Sequence, residues 1–271
     1  MSTYLKVGSA LGFIVILGVC LMLAHRADEA VHCDTITFAG DLTPEAFVEM
    51  RDCLVRSSAA QKRFVVTTSG GGSAQAALAI ATLIHEHNWD VEIVDFCASS
   101  CANFIFPAGR VKYLNKNAML LFHGGPHQRN LLDMAVEADR AAKMSGADIT
   151  SKTFGQVAKE GSIYFEVSSD ASREVQEFLS IKAGSSLVEL VHQLRSLSDE
   201  FYRKLGVNPL LPEYGQIGPY ESTYKSYNHI GFMYRLDSLR RLGITNIELK
   251  DGEWHPERHP AYERVYEVVY P

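Results

Sequence analysis

Three short segments of the chain contain the residue types that acyl transfer requires. Residues 69–72 (SGGG) and 97–101 (CASSC) each follow an apolar run and open a helical pattern, and His123 follows the run MLLF. A serine hydroxyl is a weak nucleophile until an imidazole takes its proton, and the oxyanion that then forms is stabilised by fixed backbone N–H groups. Glycines let a backbone approach a substrate closely. The segments therefore supply a serine at a helix N-terminus, a histidine and a glycine-rich backbone for a hydrolytic site.

The elements that must position these segments follow an alternating pattern of strands and helices. Predicted strands lie at 34–38, 63–68, 91–96, 118–122, 244–248 and 265–270, and predicted helices at 43–56, 73–87, 131–144, 187–205 and 236–242. Apolar strands separated by helices indicate an α/β fold with a parallel sheet covered on both faces. Right-handed crossovers place the carboxyl ends of such strands at one edge, so we expect the three segments to meet there.

The amino-terminal segment predicts export. Residues 7–24 form an uncharged apolar stretch, and a helix of this length reaches about 27 Å, close to the thickness of a bilayer core. Lys6 precedes it and Asp28 and Glu29 follow it, which favours the amino terminus inside. We expect an uncleaved signal anchor in contact with the lipid bilayer and a domain in the periplasm or extracytoplasmic space. A cleaved signal peptide, which would release the domain to the periplasm, and a buried soluble helix are the alternatives.

Composition narrows the class of protein. The chain has 271 residues, of which 46% are hydrophobic, and a formal charge of -6, which excludes a disordered chain and argues against a nucleic-acid binder. We divide it into an anchor and linker (1–31), an α/β domain (32–250) with an insertion at about 124–186, and a tail (251–271). The sequence is also compatible with a homo-oligomer.

The predicted export suggests that the cysteines form disulfides. Cys20 lies in the apolar stretch, which leaves an even number for an oxidising compartment. We expect Cys33 to pair with Cys53, or Cys97 with Cys101; buried free thiols are the alternative.

Residues 65–84 (VVTTSGGGSAQAALAIATLI) and 97–125 (CASSCANFIFPAGRVKYLNKNAMLLFHGG) resemble the Clp protease proteolytic subunit and signal peptide peptidase A group of the crotonase-like superfamily. The SGGG run resembles that group's serine–proline–glycine–glycine turn, with Gly70 in place of the proline. Residues 236–247 (LDSLRRLGITNI) are more loosely similar to its closing helix, glycine and strand. The CASSC version most resembles exported Clp-protease-like proteins of bacteria. The resemblance implies a crotonase-like fold and serine peptidase activity.

The resemblance also implies roles for single residues. Counting back from the alanine–glycine pair at 108–109, which ends the group's apolar helix, gives Ser100 as the nucleophile, and His123 matches the base. The implied oxyanion donors are backbone N–H groups of Gly71, Gly72 and Cys101.

The sequence departs from the group at the third catalytic residue. The compact Clp-type enzymes carry an aspartate that orients the histidine, but residues 228–231 (NHIG) offer no carboxylate. Asp170, Glu221 and Asp237 are the remaining candidates, and the lysine base of the signal peptide peptidases has no counterpart. Loss of the orienting acid can cost about 10⁴ in rate.

Several functions and residue roles stay open on these observations. Ser100 can instead cap its helix, His123 can be a strand-end residue bonded to backbone, and the glycines can serve packing alone. The first hypothesis is a membrane-anchored extracytoplasmic serine peptidase that acts on unfolded or flexible polypeptide. A weakly active or inactive binding or scaffold protein of the envelope is the alternative. Acyl-coenzyme A chemistry is disfavoured by export. We expect no cofactor and no metal site.

Overall fold

The computed structural model describes residues 33–145, 186–226 and 228–271. The predicted anchor at 7–24 and Asp170 therefore lie outside the described residues. Within these ranges, no helix combines the length and the apolar character that a membrane crossing needs.

The core of the molecule is a six-stranded parallel sheet. Its strands are β1 (Thr35–Leu42), β2 (Arg63–Gly72), β3 (Asp90–Ala98), β4 (Lys112–Leu114), β5 (Met119–Leu121) and β7 (Ile247–Leu249). The order is β1-β2-β3-β4-β7, and β5 continues beside the carboxyl-terminal half of β3. The central strands are apolar on both faces because helices cover them, and Phe64, Val66, Val91 and Ile93 are fully buried. The expected α/β fold with a parallel sheet is confirmed.

The helices begin and end where the sequence provides caps. They are α1 (Pro44–Arg56), α2 (Ala74–Glu86), the short α3 (Phe106–Ala108), α4 (Arg129–Ser145), α5 (Leu187–Leu205), α6 (Glu221–Lys225) and α7 (Leu236–Arg241). Thr43 Oγ1 accepts the Ala46 N–H at 3.2 Å before α1, and Ser73 Oγ accepts the Ala76 N–H at 3.3 Å before α2. Gly206 ends α5 with a φ of +67°, a conformation that favours glycine.

A second, two-stranded sheet adjoins the first. It pairs β6 (Gly231–Tyr234) with β8 (Val265–Val268) in parallel. Phe122 and Phe232 exchange backbone hydrogen bonds of 2.8 and 2.7 Å, which tie this sheet to the end of β5. The predicted carboxyl-terminal strand thus belongs to this small sheet.

Two strands escaped the sequence analysis, and three (β1, β2 and β3) are longer than predicted. β4 has only three residues, and β6 (GFMY) lacks the alternation of an exposed strand because all four residues are buried. The glycines at 70–72 were expected in a turn, but they continue β2, since Asp41 and Leu42 of β1 pair with Gly71 and Gly72.

One disulfide fastens the start of the described chain to the first helix. Cys33, just before β1, is joined to Cys53 of α1 with a Cα–Cα distance of 5.9 Å and a sequence separation of 20 residues. The bond closes a loop that contains β1 and most of α1.

Opening this loop should lower the free energy of unfolding. Replacing both cysteines (Cys33→Ser with Cys53→Ser) is expected to cost about 3 kcal/mol, because the unfolded chain regains the entropy of the open loop. Urea denaturation measures this. Each single variant opens the same loop, so each should lose about as much as the double variant. Equal stability of the double variant and the wild type would contradict the prediction.

Candidate functional site

A sharp turn follows β3 and carries Ser100. Ser99 has a φ of +55°, uncommon for a residue with a side chain, and its N–H donates to the Leu121 carbonyl of β5 at 2.9 Å. A π-helical turn, Cys101–Ile105, comes directly after Ser100. A disulfide joins Cys97 and Cys101 across this turn, with a Cα–Cα distance of 5.3 Å. Covalent and hydrogen bonds therefore fix the backbone on both sides of Ser100.

The Ser100 hydroxyl does not cap the helix that follows it. Ser100 lies at the cap position, but its side chain makes no capping hydrogen bond. Its Oγ donates instead to the Gly72 carbonyl oxygen at 3.0 Å, and the residue is 6% exposed. The helix-capping alternative for Ser100 is therefore wrong in this structure.

Gly71 and Gly72 bring the end of β2 against this turn. Their φ values are +98° and +132°, so both occupy backbone conformations that disfavour side chains. A Cβ on Gly71 would lie 2.6 Å from Ser99 Cβ and 2.9 Å from Ser100 N, and a Cβ on Gly72 would lie 2.5 Å from Leu42 O. The Gly71 N–H donates to Ser69 Oγ at 3.2 Å. Gly71 therefore packs against the serine turn, and the Gly72 carbonyl accepts the hydrogen bond from the Ser100 hydroxyl.

His123 occupies the matching position on the neighbouring strand. Ala98 of β3 pairs with Leu121 of β5, and Ser100 and His123 each follow two residues beyond that pair. The sheet thus places both residues at one edge. The His123 side chain is exposed, and its ring has no hydrogen-bond partner among residues 33–145, 186–226 and 228–271. No Ser100–His123 hydrogen bond forms within these ranges.

The backbone around His123 is held firmly, in contrast to its ring. Gln216 Nε2 donates to the His123 carbonyl at 2.6 Å, and Asn103 Nδ2 of the π-helical turn donates to the Gly124 carbonyl at 2.9 Å. The second bond links the segment after Ser100 directly to the segment after His123.

The candidates for a third catalytic residue do not pair with His123 in the described chain. Glu221 opens α6 and forms an ion pair of 2.7 Å with Lys225. Asp237 has a side chain that is 82% exposed and lies 3.4 Å from Arg240. Asp170 falls outside the described residues.

Sequence analysis missed a second histidine with carboxylate partners. The His127 ring Nε2 lies 2.8 Å from Asp199 Oδ1 of α5, and the backbone N–H of His127 donates to Glu213 Oε1 at 3.1 Å. Glu213 is 4% exposed, and burial raises the pKa of its carboxyl to about 7. These partners lie 72 and 86 residues from His127, so no local spacing in the sequence could reveal them.

Within the described part of the chain, no group of three or more His, Cys, Asp or Glu side chains is placed to hold a metal ion. No protein-family model matches the chain, and no curated protein matches it either. The arrangement therefore stands on its own geometry: a serine hydroxyl, a histidine and a glycine-rich backbone at one sheet edge.

The contact between Gly71 and the serine turn predicts a large cost for any side chain there. Gly71→Ala should lower the free energy of unfolding by about 4 kcal/mol, since both a positive φ and close backbone atoms oppose the methyl group. Gly40→Ala is the matched control: Gly40 has a φ of +108°, but its Cβ would meet nothing within 4 Å. That variant should lose only about 1–2 kcal/mol. Equal losses in chemical denaturation would refute the close contact.

The raised pKa of Glu213 predicts how stability depends on pH. The carboxyl stays protonated in the folded state up to about pH 7, whereas the unfolded state ionises near 4.5. The Glu213 contribution to folding is therefore fully retained below pH 4.5 and lost between about 4.5 and 7, by up to about 3 kcal/mol. Glu213→Gln removes this titration. Its free energy of unfolding, minus that of the wild type, should rise across this window, and a flat difference curve would rule out the shifted pKa.

Proposed function

We propose that this chain is a membrane-anchored extracytoplasmic serine peptidase that acts on unfolded or flexible peptide segments. The proposal rests on the position of Ser100. Its hydroxyl makes no capping hydrogen bond, and its turn lies at the same sheet edge as His123. If Ser100 acted only as a helix cap, its side-chain oxygen would accept a hydrogen bond from a backbone N–H of the following turn.

The reaction follows from the two side chains and the backbone around them. Ser100 Oγ attacks a peptide carbonyl carbon, His123 accepts the hydroxyl proton, and the carbonyl electrons move onto oxygen. Collapse of this intermediate breaks the C–N bond, and His123 returns the proton to the leaving amine. Water then attacks the acyl-enzyme by the same steps, which releases the carboxylic acid and restores Ser100.

Backbone N–H groups receive the oxyanion in this proposal. Cys101 directly follows Ser100 and begins the π-helical turn, where N–H groups lack partners within the helix. Gly72 supplies the second N–H, and the close glycine backbone lets the substrate carbonyl approach. Because the Ser100 hydroxyl donates to the Gly72 carbonyl in the structure, attack requires its rotation towards His123.

The Clp-protease-like family, the anchor at 7–24 and the periplasmic location belong to the same proposal. They rest on the sequence resemblance and on the apolar amino-terminal stretch. An exported compartment lacks ATP, so no unfolding motor feeds the site. The substrates are therefore segments that are already flexible.

One observation favours a second function, a binding or scaffold protein that has lost turnover. The His123 ring lacks a carboxylate partner in the described chain, whereas a catalytic histidine usually has one to fix its tautomer. The site without this acid is expected to turn over about 10⁴-fold more slowly than a complete triad.

A serine-directed fluorophosphonate probe tests the proposal on the full chain in detergent. The wild type should become labelled, because the probe traps an activated serine even when turnover is slow. Ser100→Ala should abolish labelling, and Ser99→Ala should retain it, since Ser99 occupies the same turn with its hydroxyl outside the proposed chemistry.

Two further measurements separate an inactive fold from a wrong assignment. Circular dichroism should show the same fold for both variants, and His123→Ala should slow labelling strongly. An unlabelled wild type that cleaves no unfolded peptide overturns the peptidase proposal in favour of the scaffold.

A further inference from the structure

A cavity of about 300 Å³ lies beside the segment that carries His123. It is bounded by the start of α4, the loop at 213–217 and α6. Its lining includes Asp133, Glu213, Gln216, Glu221 and Lys225. The volume is at the lower end of the range for ligand sites, so it suits one side chain better than a large molecule.

The cavity and the proposed catalytic segment share their wall. Gln216, which lines the cavity, donates to the His123 carbonyl at 2.6 Å. A Cβ on Gly125 would lie 2.8 Å from Glu213 Oε1, so the backbone after His123 packs directly on the Glu213 carboxyl. A side chain held in the cavity would therefore lie beside the segment that carries His123, which is where the proposed substrate peptide binds.

The Glu213 carboxyl has an unused hydrogen-bonding atom in this wall. Oε1 accepts the His127 N–H, but Oε2 is buried and has no hydrogen-bond partner. Arg195, whose charge acts on this carboxyl, does not donate to Oε2: its Nε donates to the Pro126 carbonyl at 2.7 Å. A buried carboxyl oxygen without a donor costs free energy that a bound donor would return.

The charges of the lining favour a cationic donor. Besides Glu213, the lining has the carboxylates of Asp133 and Glu221 and one ammonium, and that ammonium, on Lys225, is already paired with Glu221. An anionic ligand would meet the negative charge of Asp133. An ammonium or guanidinium group beside Glu213 would favour the ionised form of its carboxyl, which then accepts a hydrogen bond from the bound cation.

We propose that this cavity is the specificity pocket of the peptidase and that it takes a lysine or arginine side chain of the substrate, with Glu213 Oε2 as the acceptor. The inference rests on the proposed function for the meaning of the bound peptide. Its binding chemistry can nevertheless be measured without turnover.

Equilibrium binding of short capped peptides to the full chain in detergent tests the pocket. Four fluorescent peptides differ only at a central lysine, arginine, norleucine or glutamate. The lysine and arginine peptides should bind at least about tenfold more tightly than the norleucine peptide, which has a similar size and no charge. The glutamate peptide should bind most weakly. Equal affinity for lysine and norleucine overturns the pocket, and this comparison needs no variant.

Variants locate the preference in the cavity. Glu213→Gln should remove most of the tenfold preference, and Asp133→Asn, an exposed change on the same wall, should reduce it by a smaller factor. Glu248→Gln is the matched control, since it removes one exposed carboxylate on β7, outside the cavity. Thermal unfolding verifies that each variant is folded. A loss of preference as large in Glu248→Gln would assign the effect to net charge and overturn the proposal.

Probe labelling of Ser100 in the same samples separates the two proposals. A lysine preference that depends on Glu213, without labelling or cleavage, supports the pocket and removes the peptidase function. Labelling without any lysine preference supports the peptidase and removes the pocket.

Discussion

The site depends on one backbone contact, between Gly71 at the end of β2 and the turn at Ser99 and Ser100. A Cβ on Gly71 would lie within 3.0 Å of Ala98 O, Ser99 Cβ and Ser100 N, so no side chain fits between the two strand ends. Both sides of the contact have positive φ values, +98° at Gly71 and +55° at Ser99. Together with the Cys97–Cys101 disulfide and the hydrogen bond from Ser100 to the Gly72 carbonyl, the contact holds the serine turn against the end of β2.

A tyrosine hydroxyl replaces a backbone hydrogen bond that proline removes from the helical segment after Ser100. In an α-helix the N–H of residue 107 would donate to the carbonyl of residue 103, but Pro107 has none. The buried Tyr202 hydroxyl of α5 donates to the Asn103 carbonyl at 2.9 Å instead. Asn103 in turn binds the Gly124 carbonyl. A chain of hydrogen bonds thus connects α5, the serine turn and the segment after His123.

The sequence predicted those elements of the fold that depend on interactions between residues close together in the chain. Thr43 and Ser73 predict the starts of helices because their hydroxyl oxygens accept hydrogen bonds from backbone N–H groups of the first turn. The apolar runs of β2 and β3 predict strands that are buried on both faces. The shared edge of Ser100 and His123 followed from parallel topology. The pairing of His127 with Asp199 and Glu213 could not be predicted, because those partners come from distant segments that only the complete fold brings together.

The positions of the carboxylates explain why Ser100 is held by several bonds whereas the His123 ring has no orienting acid among the described residues. An orienting acid must be ionised to stabilise an imidazolium, yet burial raises the pKa of Glu213 to about 7, and its Oε1 already accepts the His127 N–H. Asp199 is bound to the His127 ring. Both acids therefore bind His127, whereas the exposed His123 ring has no hydrogen-bond partner among the residues that the structure describes. In the proposed peptidase, catalysis would still require the orientation of the His123 imidazole towards Ser100. A peptide that covers the His123 edge would exclude water there and restrict the ring, so substrate binding itself would complete the site.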